Sequence, residues 1–153
     1  LDTITSRCQL VRFKSSSRKQ IDNFLENNLD SDKLDTYKKL NYQDLLYLGN
    51  GSPRLILSII EIWEEISEEI KFKLEIPLKD KIEILKVCKL IAEQLDNYQQ
   101  LFLLKFIQQM WWSKTKNINI VYKLEKLKSL INNHVQPRLA WEITFLKIAI
   151  EDL

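Results

Sequence analysis

The sequence predicts an all-α protein, and three observations carry that prediction. There are only 2 Gly and 3 Pro in 153 residues, too few turn formers for a sandwich or barrel, which needs a turn every few residues. Apolar residues recur at helical spacing through most of the chain. Hydrophobic residues make up 45% and charged residues 29%, a balance that excludes disorder and allows a real core. The one departure is residues 9–13, Gln-Leu-Val-Arg-Phe, whose alternation of apolar and polar residues reads as a single short strand. Such a strand cannot form a sheet alone, so its partners are expected upstream of residue 1. With Leu1 first and no leader-like segment after it, the chain is expected to be a fragment of something longer.

The elements follow in order. Ser17 with Gln20 fits a capping box, in which side chains satisfy the free N–H groups of a helix start, and Ile21, Phe24, Leu25 and Leu29 follow at helical spacing. The polar run Asp30-Ser31-Asp32-Lys33 ends that helix. Residues 34–40 form a short helical piece, and Tyr42 to Leu48 a further helix stopped by Gly49-Asn50-Gly51. Ser52 then caps a longer helix with Pro53 at its first position, where a missing N–H costs nothing. Its stripe is Leu55, Ile59, Ile62, Ile66 and Ile70, with Glu61, Glu64, Glu65, Glu68 and Glu69 largely off it. Ile76-Pro77 breaks the chain, and a domain boundary is expected near residues 71–77.

Four helices are expected beyond it. Lys79–Asp96 carries Ile82, Leu85, Cys88, Ile91, Ala92 and Leu95. Tyr98–Ser113 is apolar almost all round, with a narrow polar stripe of Lys105, Gln108 and Gln109, as suits the middle of a bundle. Ile118–Asn132 carries Ile120, Leu124, Leu127 and Ile131, with Lys123, Lys126 and Lys128 outside. Pro137 starts the last helix, where Leu139, Ile143, Leu146, Ile150 and Leu153 recur at alternating spacings of four and three.

Several kinds of chemistry are excluded. There is no Gly-rich phosphate loop. His134 is the only histidine, so no histidine pair binds a metal and no Ser/His/Asp set is credible. Cys8 and Cys88 are too few for a disulfide framework or a four-thiolate zinc site, and free thiols fit a reducing, cytoplasmic compartment. No apolar run approaches the roughly 20 residues of a membrane span. The net charge is +2, divided as 11 basic and 13 acidic side chains in residues 1–76 and 12 and 8 in residues 77–153. That is not the strongly basic face of a dedicated nucleic-acid binder. Trp63, Trp111, Trp112 and Trp141 could stack bases but read mainly as core, although adjacent Trp111 and Trp112 cannot both point inward.

Two short segments stand out. Ser6-Arg7-Cys8 puts a guanidinium, whose rigid fork of donors matches phosphate oxygens, just ahead of the strand. A surface ion pair is the alternative there. In Gly51-Ser52-Pro53-Arg54, Arg54 lies in the first turn of a helix, where the dipole disfavours a cation unless it shares an anion with the helix N-terminus.

Thr3-Ile4-Thr5-Ser6-Arg7-Cys8-Gln9 resembles the T-I-x-S-R-C-Q segment of clamp-loader AAA+ subunits. The run from Phe13 to Leu25 is similar to the start of their lid domain, and Gly51 to Arg54 falls at their sensor-2 turn. His134-Val135-Gln136-Pro137-Arg138-Leu139-Ala140-Trp141-Glu142 resembles the N-x-N-P-R-L-x-x-E motif of bacterial collars, with His134 and Gln136 in place of the usual asparagines. Gln108-Gln109-Met110-Trp111-Trp112 also looks like the delta-prime type of the DNA polymerase III clamp loader.

The resemblance implies an all-α architecture: residues 1–13 as the tail of an AAA+ core, 14–70 as a three-helix lid, and 77–153 as a helical-bundle collar that packs into a ring. The all-apolar helix and the clean stripe of the last helix suit such a collar, because an oligomerising bundle needs an inner core and one further buried face. The resemblance makes Arg7 an arginine finger that reaches a neighbour's ATP in trans, where a guanidinium stabilises the charge of phosphoryl transfer. Ser6 and Cys8 would position that loop. Arg54 would be a sensor-2 contact to nucleotide in cis, or a mark of the ATP-binding gamma/tau sister type. No cofactor is expected on the fragment itself, with ATP mainly on neighbouring subunits. The implied partners are gamma/tau and delta through the collar, and the sliding clamp and primed DNA through the whole complex, with no membrane and no enzyme activity of its own. An unrelated helical interaction scaffold is the competing reading.

Overall fold

The computed structural model describes residues 16–40, 42–133 and 135–151, all of it helical or connecting. Nine helices run through the described residues: α1 Arg18–Asn28, α2 Ser31–Lys39, α3 Tyr42–Gly49, α4 Pro53–Glu65, α5 Glu68–Lys73, α6 Lys81–Gln94, α7 Asn97–Thr115, α8 Ile118–Asn132 and α9 Pro137–Glu151. The expected strand at residues 9–13 lies outside the described residues.

Side-chain bonds mark the starts of α1, α6, α7 and α8, whereas Ser52 and Ser67 make no side-chain cap bond to α4 and α5. Before α1, the Ser17 N–H donates to Gln20 Oε1 at 2.9 Å, as the capping-box pattern predicts. Asp80 accepts from the Ile82 N–H ahead of α6, and Asn117 accepts from the Asn119 N–H ahead of α8, each at 2.9 Å. Asp96 and Gln99 form a full capping box at α7, with bonds of 2.7 and 3.0 Å. The turn between α3 and α4 is made by Asn50 and Gly51, both left-handed with φ of 48° and 70°. Gly49 just before it lies so close to α4 that a Cβ there would meet Ile56 Cγ1 at 2.5 Å.

The helix expected to run to about residue 70 is two helices. Ile66 leaves the helical conformation, and Ser67 starts α5 with Glu68 and Glu69 in its first turn and Lys71 and Lys73 in its last. That arrangement complements the helix dipole at both ends. The break keeps Ile66, Ile70 and Leu74 all buried while the chain turns towards α6.

The core has two parts. Ile21, Leu25, Ile56 and Ile60 form a small cluster beneath α1 and α2. A much larger cluster begins at Leu45, passes along Ile59, Ile62, Ile66, Ile70 and Leu74, and fills the α6–α9 bundle. Helix α4 therefore serves both, with Ile56 and Ile60 on one side and Ile59 and Ile62 on the other. Leu55, expected in its buried stripe, is half exposed. The larger cluster is continuous through residues 71–77, and Trp111 Nε1 fastens that stretch by donating to the Leu74 carbonyl at 2.8 Å.

Helix α7 occupies the position its composition predicts, packed on α3, α4 and α8 with seven buried residues. One of these is polar. Gln100 accepts from Trp141 Nε1 at 2.9 Å and donates to the Leu95 carbonyl at 2.9 Å, so its buried amide is satisfied on both ends. Trp141 meets Phe145 edge-on with centroids 5.2 Å apart, and Trp111 meets the same ring at 5.3 Å. Trp111 is buried and Trp112 is not, as their adjacency requires.

Candidate subunit interface

The last helix carries two apolar faces. Ala140, Trp141, Thr144, Phe145 and Ile148 point into the bundle. On the opposite side Leu139, Ile143 and Ile150 are 46%, 42% and 68% exposed, with Leu146 half-buried between them. The stripe read from the sequence is thus the outward one. Residues at positions i and i+4 or i+3 share a helix face, so the four side chains form one continuous ridge.

Helix α6 lies against α9 and adds to this surface. Its buried face is Ile84, Val87, Cys88 and Ile91, continued by Leu95. Ile82 and Leu85, expected with Cys88 and Ile91, are instead 63% and 41% exposed. The pattern misled because α6 alternates two overlapping apolar sets, and only contact with α9 decides which turns inward.

Two ion pairs flank the ridge, one within α9 and one that ties it to α8. Arg138 Nε donates to Glu142 Oε1 at 2.7 Å, one turn along the helix, and that bond raises the guanidinium above its ordinary pKa. At the other end Glu151 pairs with Lys123 of α8 at 2.6 Å, and the same hydrogen bond holds the Glu151 carboxyl below its usual range. Cys88 lies beneath α9, where burial first, and then the negative charge of Glu142, push its thiol up to about 12. It packs and does not react.

Arg54 is exposed in the first turn of α4. No carboxylate among the described residues pairs with it, and its carbonyl accepts from Ser58 Oγ at 3.4 Å. Ser6, Arg7 and Cys8 lie outside the described residues, as does His134, so Arg54 alone of the expected site residues has a described position. Among the described residues no three His, Cys, Asp or Glu side chains converge as a metal site requires, and no helix is long and apolar enough to cross a membrane.

A bundle whose terminal helix shows a second apolar ridge fits a domain that assembles with others. A family model described as cyanobacterial DNA polymerase III delta prime, C-terminal domain, matches residues 19–148. The chain belongs to the DNA polymerase III delta-prime C-terminal domain family. It is accordingly a component of DNA polymerase III of the clamp-loader subunit type. The match covers α2 to α8 in full, all of α1 but Arg18, and α9 as far as Ile148, so Leu139, Ile143 and Leu146 of the outward ridge fall within the delta-prime domain and Ile150 lies beyond the match. No curated protein and no solved structure matches the chain at a significant level.

Proposed function

We propose that this chain is the C-terminal part of a delta-prime clamp-loader subunit, that it holds its place in the ring through the α9 ridge, and that it serves a neighbour's ATP site through Arg7. The observation that carries the reading is the second apolar face of α9, on a chain of the delta-prime C-terminal domain family. In this reading residues 14–70 are the lid and 77–153 the collar, which packs against the gamma/tau and delta collars. The assembled complex, working on DNA in the cytoplasm, then places the sliding clamp on primed DNA. The fragment binds no cofactor itself, and the ATP sits mainly on neighbouring subunits.

Arg7 would supply a guanidinium in trans to the transferring phosphate, with Ser6 and Cys8 setting its loop, because charge spreads over the phosphoryl oxygens in that step. Arg54 supports a second reading. An exposed cation with no acidic partner at a helix N-terminus suits a phosphate contact in cis, which favours the gamma/tau type.

Two measurements test this. Replacing Ile143 by Asp in the intact subunit leaves the fold unchanged by circular dichroism and abolishes co-elution with the sister subunits; retained assembly overturns the ridge as interface. Arg7→Ala leaves assembly intact and lowers DNA-stimulated ATPase of the complex by a factor on the order of 10³, the lower end for an arginine finger. Unchanged ATPase removes the finger from the account.

A further inference from the structure

Between residues 97 and 133 the chain carries six lysines and a single acid, Glu125. The structure divides these lysines into two groups. Lys114 is held by Glu75, Lys123 by Glu151, and Lys128 by Glu125 at 2.7 Å. The Lys128 hydrogen bond also keeps the Glu125 carboxyl below its ordinary range, so the one acid of the region is already paired. No carboxylate among the described residues pairs with Lys116 or Lys126, and Lys105 forms no ion pair but acts on the Glu125 carboxyl through its charge.

Two of these lysines, Lys116 and Lys126, flank exposed aromatic rings. The polar stripe of α7, Lys105, Gln108 and Gln109, runs on into Trp112, which is 37% exposed. Lys116 ends α7 in a left-handed conformation with φ of 52°, a position where glycine is the usual occupant. Its ammonium stands 5.5 Å from the centre of the Trp112 ring. Trp112 shares a pocket of about 260 Å³ with Tyr47, Gln108, Gln109, Ile118 and Val121. One turn beyond Ile118 on α8, Tyr122 is 62% exposed, and the Lys126 ammonium lies 4.4 Å from its ring centre.

We propose that this α7–α8 edge binds single-stranded nucleic acid, with bases stacked on Trp112 and Tyr122 and phosphates drawn to Lys105, Lys116 and Lys126. A flexible ammonium beside an aromatic ring leaves one ring face open to a base and reaches the adjoining phosphate. An acidic peptide satisfies the lysines and leaves the ring faces unused. A duplex hides its base faces, which the two rings need. The edge is separate from the α9 ridge, so the proposal stands apart from the ring reading and survives its failure.

The test uses the 153-residue chain and a fluorescein-labelled oligothymidylate of about 20 nucleotides, followed by anisotropy from 25 to 200 mM salt. Three phosphate contacts give a slope of log affinity on log salt of about −2, at about 0.7 per contact on single strands. Trp112→Ala weakens binding about tenfold, as expected for one lost stacked base, and Trp112→Phe retains most of it. The double variant Lys116→Gln and Lys126→Gln flattens the slope by about 1.4. Lys86→Gln, on the exposed side of α6, changes neither. Lys116→Gly relieves the left-handed backbone, so it raises the thermal midpoint while weakening binding, a split that misfolding cannot produce. No binding at 25 mM salt overturns the proposal. So do equal affinity for a duplex or for a poly-glutamate peptide, and affinity indifferent to Trp112→Ala.

Discussion

The two halves of the molecule are held together in different ways. In the α6–α9 bundle, large aromatic side chains are buried and their polar atoms are spoken for: Trp141 by Gln100, Trp111 by the Leu74 carbonyl. The α1–α2 region rests on four fully buried aliphatic residues, two of them supplied by α4. One half is therefore pinned by directional bonds inside a deep core, and the other by a small apolar cluster shared with α4, with the Tyr37–Asp22 hydrogen bond and the Lys33–Glu61 ion pair at its rim. A region that depends on few buried contacts opens at lower free energy than the core around it. Under the proposed assembly through the α9 ridge, this leaves the bundle rigid and the N-terminal helices free to adjust.

The sharpest way to break that contrast is through Trp141. Replacing it with Ala removes a fully buried indole and leaves the Gln100 carbonyl oxygen without its donor. The expected loss is about 3–5 kcal/mol from the cavity, with a further cost of about 1–3 kcal/mol for the stranded amide. Urea denaturation measures it, and both halves should lose structure together, because α4 belongs to both clusters. A loss below about 1 kcal/mol would mean that the bundle is not the stability centre.

Ile60→Ala is the matching change in the small cluster and is expected to cost about 2–4 kcal/mol. Here the readout is regional. Hydrogen exchange separates the regions by their level of protection: amides of α1 and α2 should exchange well before those of α7 to α9, in the parent and in the variant alike. Equal protection across the chain would show that the two clusters unfold as one and would erase the contrast.

Much of this arrangement was legible in the sequence, and the failures share one cause. Helix existence followed from helix-start residues and periodicity, as at Ser17, Pro53 and Pro137, because such preferences are local chemistry. The buried face of α8 was readable too, since Ile120, Leu124, Leu127 and Ile131 have lysines around them and no competing stripe. In α6 and α9 two apolar stripes compete, and periodicity cannot say which faces in. Ile82, Leu85, Leu139 and Ile143 are outward only because Val87, Cys88, Trp141 and Phe145 meet across the bundle. The break at Ser67 was hidden by a stripe that continues across it, although Ser67-Glu68-Glu69 is itself a helix-start signature. On the interface side, the ridge of α9 was visible as a pattern, whereas the lysine-flanked edge of α7 and α8 was masked by a net charge of only +2.

The smallest effect expected near neutral pH comes from Cys88, and it distinguishes the halves by pH. Burial beneath α9 disfavours the thiolate, so the thiol rises from its ordinary value near 9 to about 12 in the folded chain. Below pH 9 both states hold the proton and the cysteine contributes no pH dependence. Between about 9 and 12 the unfolded chain releases the proton and the folded chain keeps it. Stability then falls as pH rises, by up to about 1.4 kcal/mol per unit. Cys88→Ala should remove that part of the alkaline slope, with a modest constant loss from the smaller side chain. Thiol labelling at pH 8 gives an independent check: in the native protein Cys88 should react only as fast as the bundle opens, far more slowly than the amides of α1 and α2 exchange. Labelling as fast as that exchange would mean that opening of the N-terminal helices carries α6 and α9 with it.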